Sequence, residues 1–157
     1  MTSPHKWPIA VLVGVLCFVA GLETGRDVAS AQARKAVYIT RMFTGPDGQT
    51  HTEEVEAKFA LSGGRDVATL MKITGAELHR TAGGNVQDWH PAPQRQYVIT
   101  LSGRGEIEVA GGKKIALEPG HIELAEDLTG KGHITRAIGT EDRISLWLPL
   151  ADQAANK

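Results

Sequence analysis

The stretch that decides the fold reads DWHPAPQRQYVITLSG, residues 88–103. A β-strand is predicted to begin near Gln96, and two prolines, a histidine and a tryptophan precede it. Proline has no N–H to give to a sheet ladder, so the two prolines confine this approach to a sheet edge or a loop. We expect so stiff an approach to aim Trp89 and His90 at the mouth of a small β-barrel.

The strand over 95–102 has two chemically different faces, because successive side chains of a strand point to opposite sides. One face is apolar and suits packing, with Tyr97, Ile99 and Leu101. The other face mixes amide, hydroxyl and methyl groups, as the wall of a small polar cavity would. Its residues are Gln96, Val98, Thr100 and Ser102.

The rest of the chain from Val37 onward also carries β patterns. In 51–61 the apolar Val55, Ala57, Phe59 and Leu61 alternate with other residues, which predicts a half-buried strand. Turns that contain glycine or proline separate the segments, and eight or more short strands at this spacing predict an all-β sandwich or barrel. The predicted strands are 36–43, 51–61, 68–73, 76–81, 95–102, 105–110, 113–117, 121–126, 133–138 and 143–149.

Composition limits the classes of function. The chain has 157 residues, of which 41% are hydrophobic and 22% are charged. These values are typical of one globular domain. The formal net charge of -1 gives no electrostatic footprint for nucleic acid or an acidic membrane surface, so we expect no nucleic-acid partner.

The N-terminal segment has the pattern of an export signal. Residues 8–22, PIAVLVGVLCFVAGL, form an apolar run that falls short of the roughly 20 residues needed to span a bilayer. Ala31-Gln32-Ala33 offers a small-x-small cleavage pattern. We therefore expect residues 1–33 to be a signal peptide and the mature protein to be periplasmic or secreted. An uncleaved segment would instead anchor the protein in the inner membrane, facing the periplasm, and would be its only membrane contact.

Cleavage after residue 33 would remove Cys17, which is the single cysteine of the chain. The mature protein would then have no disulfide, no thiol nucleophile and no thiolate metal ligand. Histidines and carboxylates are left for chemistry. We interpret His51 as solvated and His79 as a satisfied sheet histidine. The remaining candidates are His90, His121 and His133.

Several motifs resemble the cupin superfamily of jelly-roll barrels. Cupins carry a first motif, G-x5-H-x-H-x3/4-E-x6-G, and a second that is roughly G-x5-P-x-G-x2-H-x3-N. The positions that match the first are Gly84, His90, Gln96 and Gly103, and those that match the second are Gly112, Pro119, Gly120 and His133. The phrases TGPDG (44–48), EEVE (53–56), DWHPAP (88–93), RQYVITLSG (95–103), EPG (118–120) and LAEDLTGKGH (124–133) further resemble a group of small single-domain bacterial cupins without an assigned activity.

The resemblance implies a fold more specifically than a function. It implies a double-stranded β-helix, or jelly roll, over residues 34–150, which is almost the whole mature chain, and it implies a homodimer. Residues 151–157 are expected to form a flexible tail.

The resemblance also implies a metal site, but the motif in this chain is degenerate. An active cupin holds its metal with three histidines and a carboxylate, whereas here Ala92 replaces the second histidine and Gln96 replaces the glutamate. Glu126 or Asp127 could add a carboxylate if their strand turns them inward. Two imidazoles and an amide bring no negative charge and hold a divalent ion weakly. The candidate ligands of an Fe, Mn, Ni or Zn ion are His90, Gln96 and His133, and a pocket without metal is the alternative.

A pocket without metal still has chemistry. Glu126 in an apolar barrel mouth would have a raised pKa and is the candidate catalytic acid or base. Trp89 could stack on a sugar or aromatic ring, or it could simply plug the barrel end. The expected pocket residues are Trp89, His90, Gln96, Thr100 and His133.

Three functions from different classes therefore remain. The first is an exported protein that binds a small molecule in its barrel. The second is a metal-dependent oxygenase or isomerase that acts on a small oxygenated substrate. The third is a structural, dimeric β-barrel without catalysis.

Overall fold

The structure is a computed structural model, and it describes residues 35–62 and 64–154. The expected signal peptide, residues 1–33, and residues 155–157 lie outside the described residues. A search of the described part finds no helix with the length and apolar character needed to cross a membrane. The strands are β1 (Tyr38–Thr44), β2 (Thr50–Glu56), β3 (Ala60–Ser62), β4 (Arg65–Val67), β5 (Glu77–Thr81), β6 (Val86–His90), β7 (Gln96–Ser102), β8 (Arg104–Glu108), β9 (Lys114–Leu117), β10 (Ile122–Glu126), β11 (His133–Ile138) and β12 (Arg143–Pro149).

Strands β5 to β12 form a jelly roll. The larger sheet has the order β2-β1-β10-β7-β12-β5, and the smaller has the order β6-β11-β8-β9. The chain thus passes from one sheet to the other between β5 and β6, β6 and β7, β7 and β8, β9 and β10, β10 and β11, and β11 and β12. Two four-stranded halves connected in this way are a jelly roll. The predicted all-β jelly roll is confirmed.

The first two strands extend the larger sheet beyond those eight strands. β1 pairs in parallel with β10, and β2 pairs antiparallel with β1 through a turn at Gly45–Gln49. This hairpin therefore lies beside the strand that contributes Glu123 and Ala125 to the interior.

Both faces of the larger sheet carry buried side chains. On the outer face the main-chain N–H of Met71 reaches the hydroxyl of Tyr97 at 3.5 Å, and Ile73 forms an isolated bridge with Leu150. The segment before β5 thus covers part of that face. The outer cluster is Ile39, Tyr97, Leu124 and Leu150, and the inner cluster, between the sheets, is Met42, Ala92, Ile107, Val109, Leu117 and Ala125.

Two predicted strands differ from the structure. β2 ends at Glu56, and Val55 and Phe59 are 40% and 49% exposed, so the half-buried strand predicted through residue 61 is wrong. β2 is the edge strand of the larger sheet, and alternation leads to burial only where a second layer covers one face. The strand predicted at 68–73 is also wrong, because the chain there contributes only the single bridge of Ile73.

The segment that approaches β7 is itself a strand as far as His90. β6 lies at the edge of the smaller sheet, and the two prolines follow it in a connection that returns the chain to the larger sheet. This position agrees with the edge or loop predicted from the prolines.

Contacts also continue past residue 150. The Gln153 side chain accepts a hydrogen bond from the N–H of Arg95 at 2.8 Å and donates to the carbonyl of Leu150 at 2.7 Å. The packed part of the domain therefore extends beyond the boundary expected from the sequence, at least to Gln153.

Candidate functional site

A cavity of about 60 Å³ lies between the two sheets. Three of the sequence-predicted residues, His90, Gln96 and His133, line it together, although they come from three different strands. The structure adds side chains that the sequence reasoning did not select. The added residues include Gln87, Glu123, Arg143 and Trp147.

A β-bulge places His90 on the cavity side of β6. His133 pairs with His90 and Thr135 pairs with Gln87, so β6 takes three steps while β11 takes two. Residues three apart on a regular strand would point to opposite faces. The extra residue of the bulge lets both Gln87 and His90 line the cavity.

The same bulge fixes the orientation of the His90 ring. The Nδ1 atom of His90 lies 2.7 Å from the carbonyl oxygen of Asp88. A carbonyl only accepts hydrogen bonds, so Nδ1 carries the proton and Nε2 is left as the basic nitrogen in the neutral ring. Nε2 makes no hydrogen bond to a described residue.

His133 is held by a buried carboxylate. Its Nδ1 donates to Oδ2 of Asp127 at 2.7 Å, and the hydroxyl of Thr50 donates to the same oxygen at 2.9 Å. Burial alone would lower the pKa of His133, but the hydrogen bond and charge of Asp127, with a further contribution from Glu123, raise it above its ordinary value. The rings of His90 and His133 lie 4.5 Å apart between centroids.

Glu123 is the buried acid of the cavity. It is 5% exposed and forms no hydrogen bond or ion pair with any described residue. Burial raises its pKa, and the charge of Asp127 adds a smaller rise, whereas the charges of His133 and Arg143 lower it. The net effect raises the pKa of Glu123 to about 7. Glu123 is therefore able to hold or release a proton near neutral pH.

Arg143 brings a buried cation to the same cavity. Its Nε and Nη2 atoms donate to the hydroxyl of Thr100 at 3.3 and 3.0 Å. Gly105, on the facing sheet, leaves room for the aliphatic part of the side chain, because a Cβ there would lie 3.1 Å from Cδ of Arg143. Burial lowers the pKa of Arg143 and the charge of Glu123 opposes this. Its guanidinium stays protonated at physiological pH, as arginine does in proteins.

The expectation that Glu126 turns inward is wrong. Along β10, Glu123 and Ala125 line the cavity, so Leu124 and Glu126 point to the outer face. There Glu126 accepts hydrogen bonds from Nε of Arg95 at 2.8 Å and from Nε of Arg41 at 2.6 Å. It has two cationic partners instead of an apolar mouth, so it is neither the candidate acid nor a ligand at this cavity.

Trp89 and Thr100 do not line the cavity either. The Trp89 ring is half-buried, and the ammonium group of Lys131 lies 3.6 Å from its centroid, which is a cation–π contact. Thr100 is buried, and its hydroxyl accepts hydrogen bonds from Arg143, which does line the cavity. The aromatic residue at the cavity is Trp147, which stacks on His79 with ring centroids 4.1 Å apart.

The remaining histidines lie away from the cavity. The exposed His51 pairs with Asp47 at 2.9 Å, and His79 pairs with Glu77 at 2.8 Å. The Nε2 atom of His121 is buried and has no hydrogen-bond partner among the described residues. Burial lowers the pKa of His121, the charge of Glu54 opposes this, and the charge of Arg143 lowers the pKa further.

The donor set fits poorly with the metal centre that the motif resemblance implies. Within the described residues, no group of three or more histidine, cysteine, aspartate and glutamate side chains is arranged to hold a metal ion. The two imidazoles are oriented in the way that second-shell hydrogen bonds orient metal ligands. However, Asp127 is engaged with His133 and Thr50, and Gln96 is neutral. Glu123 lines the same cavity, but among the described residues it does not form a metal-holding group with the two imidazoles.

Sequence patterns contained a signal for Arg143 but not for Glu123. In RISLWLP the residues Ile144, Leu146 and Leu148 form one face, which assigns Arg143 and Trp147 to the other. In HIELAED the same rule assigns Leu124 to the core and Glu123 to solvent. The rule fails there because both faces of β10 are covered.

Comparison with known proteins adds resemblance in fold. No family model matches the chain, and no curated protein matches it. A conserved Streptococcus pyogenes protein of unknown function is 18% identical, with a TM-score of 0.41, over 55% of this chain and 72% of that one. An RmlC-like cupin protein from Desulfovibrio desulfuricans is 18% identical, with a TM-score of 0.36, over 51% and 80% of the two chains. The Schizosaccharomyces pombe Cnp3 cupin domain is 14% identical, with a TM-score of 0.40, over 77% and 88%.

These likenesses concern the fold alone, and no activity is transferred from them. The strand order assigns the domain to the jelly rolls, and the solved structures that it resembles include proteins described as cupins.

Proposed function

We propose that this protein binds a small polar molecule in the cavity between its two sheets. The observation that carries the proposal is the convergence of His90, Gln96, Glu123, His133 and Arg143 on one small cavity. These residues come from five different strands of the two sheets.

The hydrogen-bonding state of these side chains supports binding rather than a purely structural role. Buried polar groups in proteins are almost always hydrogen-bonded. Glu123 has no partner among the described residues, and Nε2 of both cavity histidines is likewise without one. A small ligand, or the water that it replaces, would supply these partners.

A metal-dependent oxygenase or isomerase receives less support. That function needs a carboxylate beside the two imidazoles, and Glu126 is bound to Arg95 and Arg41 on the opposite side of the sheet. Glu123 is the carboxylate of this cavity, but among the described residues it forms no metal-holding group with the imidazoles. A divalent ion held by the two imidazoles and Gln96 alone would gain no negative ligand.

Binding is tested on the full chain purified without a histidine tag. A panel of small polar metabolites is screened by thermal unfolding and by ¹H–¹⁵N chemical-shift mapping. A ligand that binds the folded state raises the melting temperature. We expect shifts at the cavity residues, and we expect Gln96→Leu to abolish them while Gln49→Leu, in an outer turn, leaves them unchanged.

Metal analysis of the same preparation separates the two functions. The binding proposal expects much less than one Fe, Mn, Ni or Zn ion per chain. About one bound ion per chain, lost in His133→Ala, would instead favour the metal-dependent enzyme. A stable dimer that responds to no small molecule and no metal would favour the structural role.

We also propose that the protein is exported and dimeric. The apolar run of residues 8–22 supports export, and the motif resemblance supports a homodimer. Mass spectrometry of the protein from the periplasmic fraction should find Arg34 at the N-terminus, whereas an intact Met1 in the membrane fraction would show an anchor. Light scattering during gel filtration should give twice the mass of one mature chain.

A further inference from the structure

The guanidinium of Arg143 is a buried cation with no carboxylate in contact, although the charge of Glu123 in the same cavity acts on it from a distance. The residue is 4% exposed, and no carboxylate of the described residues lies within ion-pair distance of it. Its hydrogen-bond partner is the neutral hydroxyl of Thr100, which accepts from two of the five N–H donors. A buried charge is normally paired, because an unpaired one loses its hydration without compensation.

The other buried arginine shows the usual solution. Arg95 is 1% exposed, and both its Nε and its Nη2 donate to the carboxylate of Glu126. Its Nη1 donates to the carbonyl oxygen of Asp152. The contrast between the two arginines is that Arg143 lines a cavity and Arg95 has its anion within the protein. An anion in the cavity would pair with the guanidinium of Arg143 as the carboxylate of Glu126 pairs with that of Arg95.

The size of the cavity limits this anion. A water-sized group needs about 10–15 Å³ of such space, so about 60 Å³ accommodates about four to six non-hydrogen atoms. Pockets for larger organic ligands are typically about 300–1,000 Å³. A two- to three-carbon carboxylate has the appropriate number of atoms.

The surrounding groups favour a carboxylate over a phosphate. Glu123 lines the same cavity, so a dianion would be repelled more strongly there than a monoanion. A planar carboxylate matches the two parallel N–H donors of a guanidinium. Gln96, on the neighbouring strand β7, and His133, on β11 of the facing sheet, offer further donors.

We propose that the ligand of this cavity is a short monocarboxylate of about four to six non-hydrogen atoms whose carboxylate pairs with Arg143. This inference rests on the proposed binding function and names the chemical class of its ligand. Thr100 is a positioning residue in this scheme, because it orients the guanidinium without touching the ligand.

The test compares charged and neutral probes of equal shape on the full chain. Propionate and lactate are titrated against propionamide and lactamide by calorimetry and chemical-shift mapping. We expect each carboxylate to bind at least about 10-fold more tightly than its amide, because charge-assisted hydrogen bonds are worth about 1.5–3 kcal/mol. Arg143→Gln should weaken carboxylate binding about 10- to 100-fold and weaken amide binding much less, so that the preference for the carboxylate is lost. Arg136→Gln, which removes a partly exposed arginine paired with Glu108, is the matched control.

A second variant keeps the test valid if Arg143→Gln does not fold. Thr100→Val retains the cation and removes its acceptor, so we expect carboxylate binding to weaken about 2- to 10-fold. Equal binding of amides and carboxylates at the cavity, or undiminished carboxylate binding in Arg143→Gln, would overturn the inference and leave the binding function in place. Absence of any cavity response to both probe classes and to the wider metabolite panel would remove both.

Discussion

The imidazole Nδ1 of His133 lies 2.7 Å from Oδ2 of Asp127, and both residues are almost completely buried. The carboxylate selects one tautomer of the ring, so the nitrogen left available is Nε2. The same contact favours the protonated ring, against the effect of burial. The position and the charge of His133 are therefore both controlled by Asp127.

Asp127→Asn should lower the pKa of His133, because the variant loses the charge that raises it and retains the burial that lowers it. In the wild type, protonated His133 stabilises the fold fully below the ordinary histidine pKa of about 6.5, and this stabilisation is lost as the pH rises through the raised folded-state value. NMR titration of the ring Cε1–H measures the change. Asp47→Asn, at the exposed His51 pair, is the control. An unchanged titration of His133 in Asp127→Asn would contradict the assignment.

Glu123→Gln should change the pH dependence of stability. The folded-state pKa of about 7 lies above the usual 4.5, so the folded protein binds more protons and stability falls between pH 4.5 and 7. Each unit of pKa difference is worth about 1.4 kcal/mol, so between pH 5 and pH 8 we expect the variant to gain about 2–4 kcal/mol over the wild type. The substitution also changes the free energy of unfolding by an amount that does not depend on pH, and this amount cancels when the difference between variant and wild type is compared at two pH values.

Urea unfolding at pH 5, 6, 7 and 8 measures this gain in the free energy of unfolding. Glu56→Gln, on the exposed end of β2, should follow the wild-type profile. Parallel profiles for wild type and Glu123→Gln would mean that the Glu123 carboxyl titrates normally.

Glu126→Gln should destabilise the protein without weakening ligand binding. Removing one partner of a buried ion pair leaves the other charge uncompensated and typically costs about 3–5 kcal/mol. The charge left here is that of Arg95. Glu53→Gln removes the exposed carboxylate that shares Arg41, and we expect that change to cost less than about 1 kcal/mol.

Urea unfolding gives both stabilities, and the metabolite panel gives the binding. If Glu126→Gln folds normally but no longer binds the ligands of the panel, Glu126 belongs to the binding pocket, as the sequence predicted.

Gly132→Ala should disrupt the pairing of His90 with His133. Gly132 has a φ of +74°, and a Cβ there would lie 2.0 Å from the carbonyl oxygen of His90. Left-handed backbone costs a non-glycine residue about 1–2 kcal/mol, and the clash with rigid backbone adds to this, so we expect about 3 kcal/mol or more. Gly84→Ala is matched in φ, at +77°, but has open space around the added methyl group.

Gly84→Ala should therefore cost only about 1–2 kcal/mol and leave the His90 and His133 resonances in place. Equal costs for the two variants in urea unfolding would show that the close approach at Gly132 does not constrain the site.

The sequence predicts the fold better than the site, for a physical reason. Alternation identifies the polar face of β7, and Gln96 and Val98 lie on the cavity side as it predicts. The same rule misassigns β10, where Glu123 lines the cavity although Leu124 is the apolar residue. The rule assumes one solvent-exposed face, and the segment before β5 covers part of the outer face of the larger sheet.

The bulge in β6 marks a second limit of prediction. His90 and Gln87 share a face only because β6 carries one extra residue relative to β11. No residue type in the sequence DWH predicts the position of this bulge. The two prolines predicted the edge position of β6. They carried no information on its register.

The hydrogen bond from Thr50 to Asp127 joins residues 77 positions apart, and Thr50 belongs to a hairpin outside the eight jelly-roll strands. A version of the domain trimmed to those eight strands would therefore lose a hydrogen bond to Asp127 as well as the edge of the larger sheet. Its barrel could close, yet the carboxylate behind His133 would be open to solvent and short of one donor. The first two strands are part of the working unit, and any reduced scaffold should retain them.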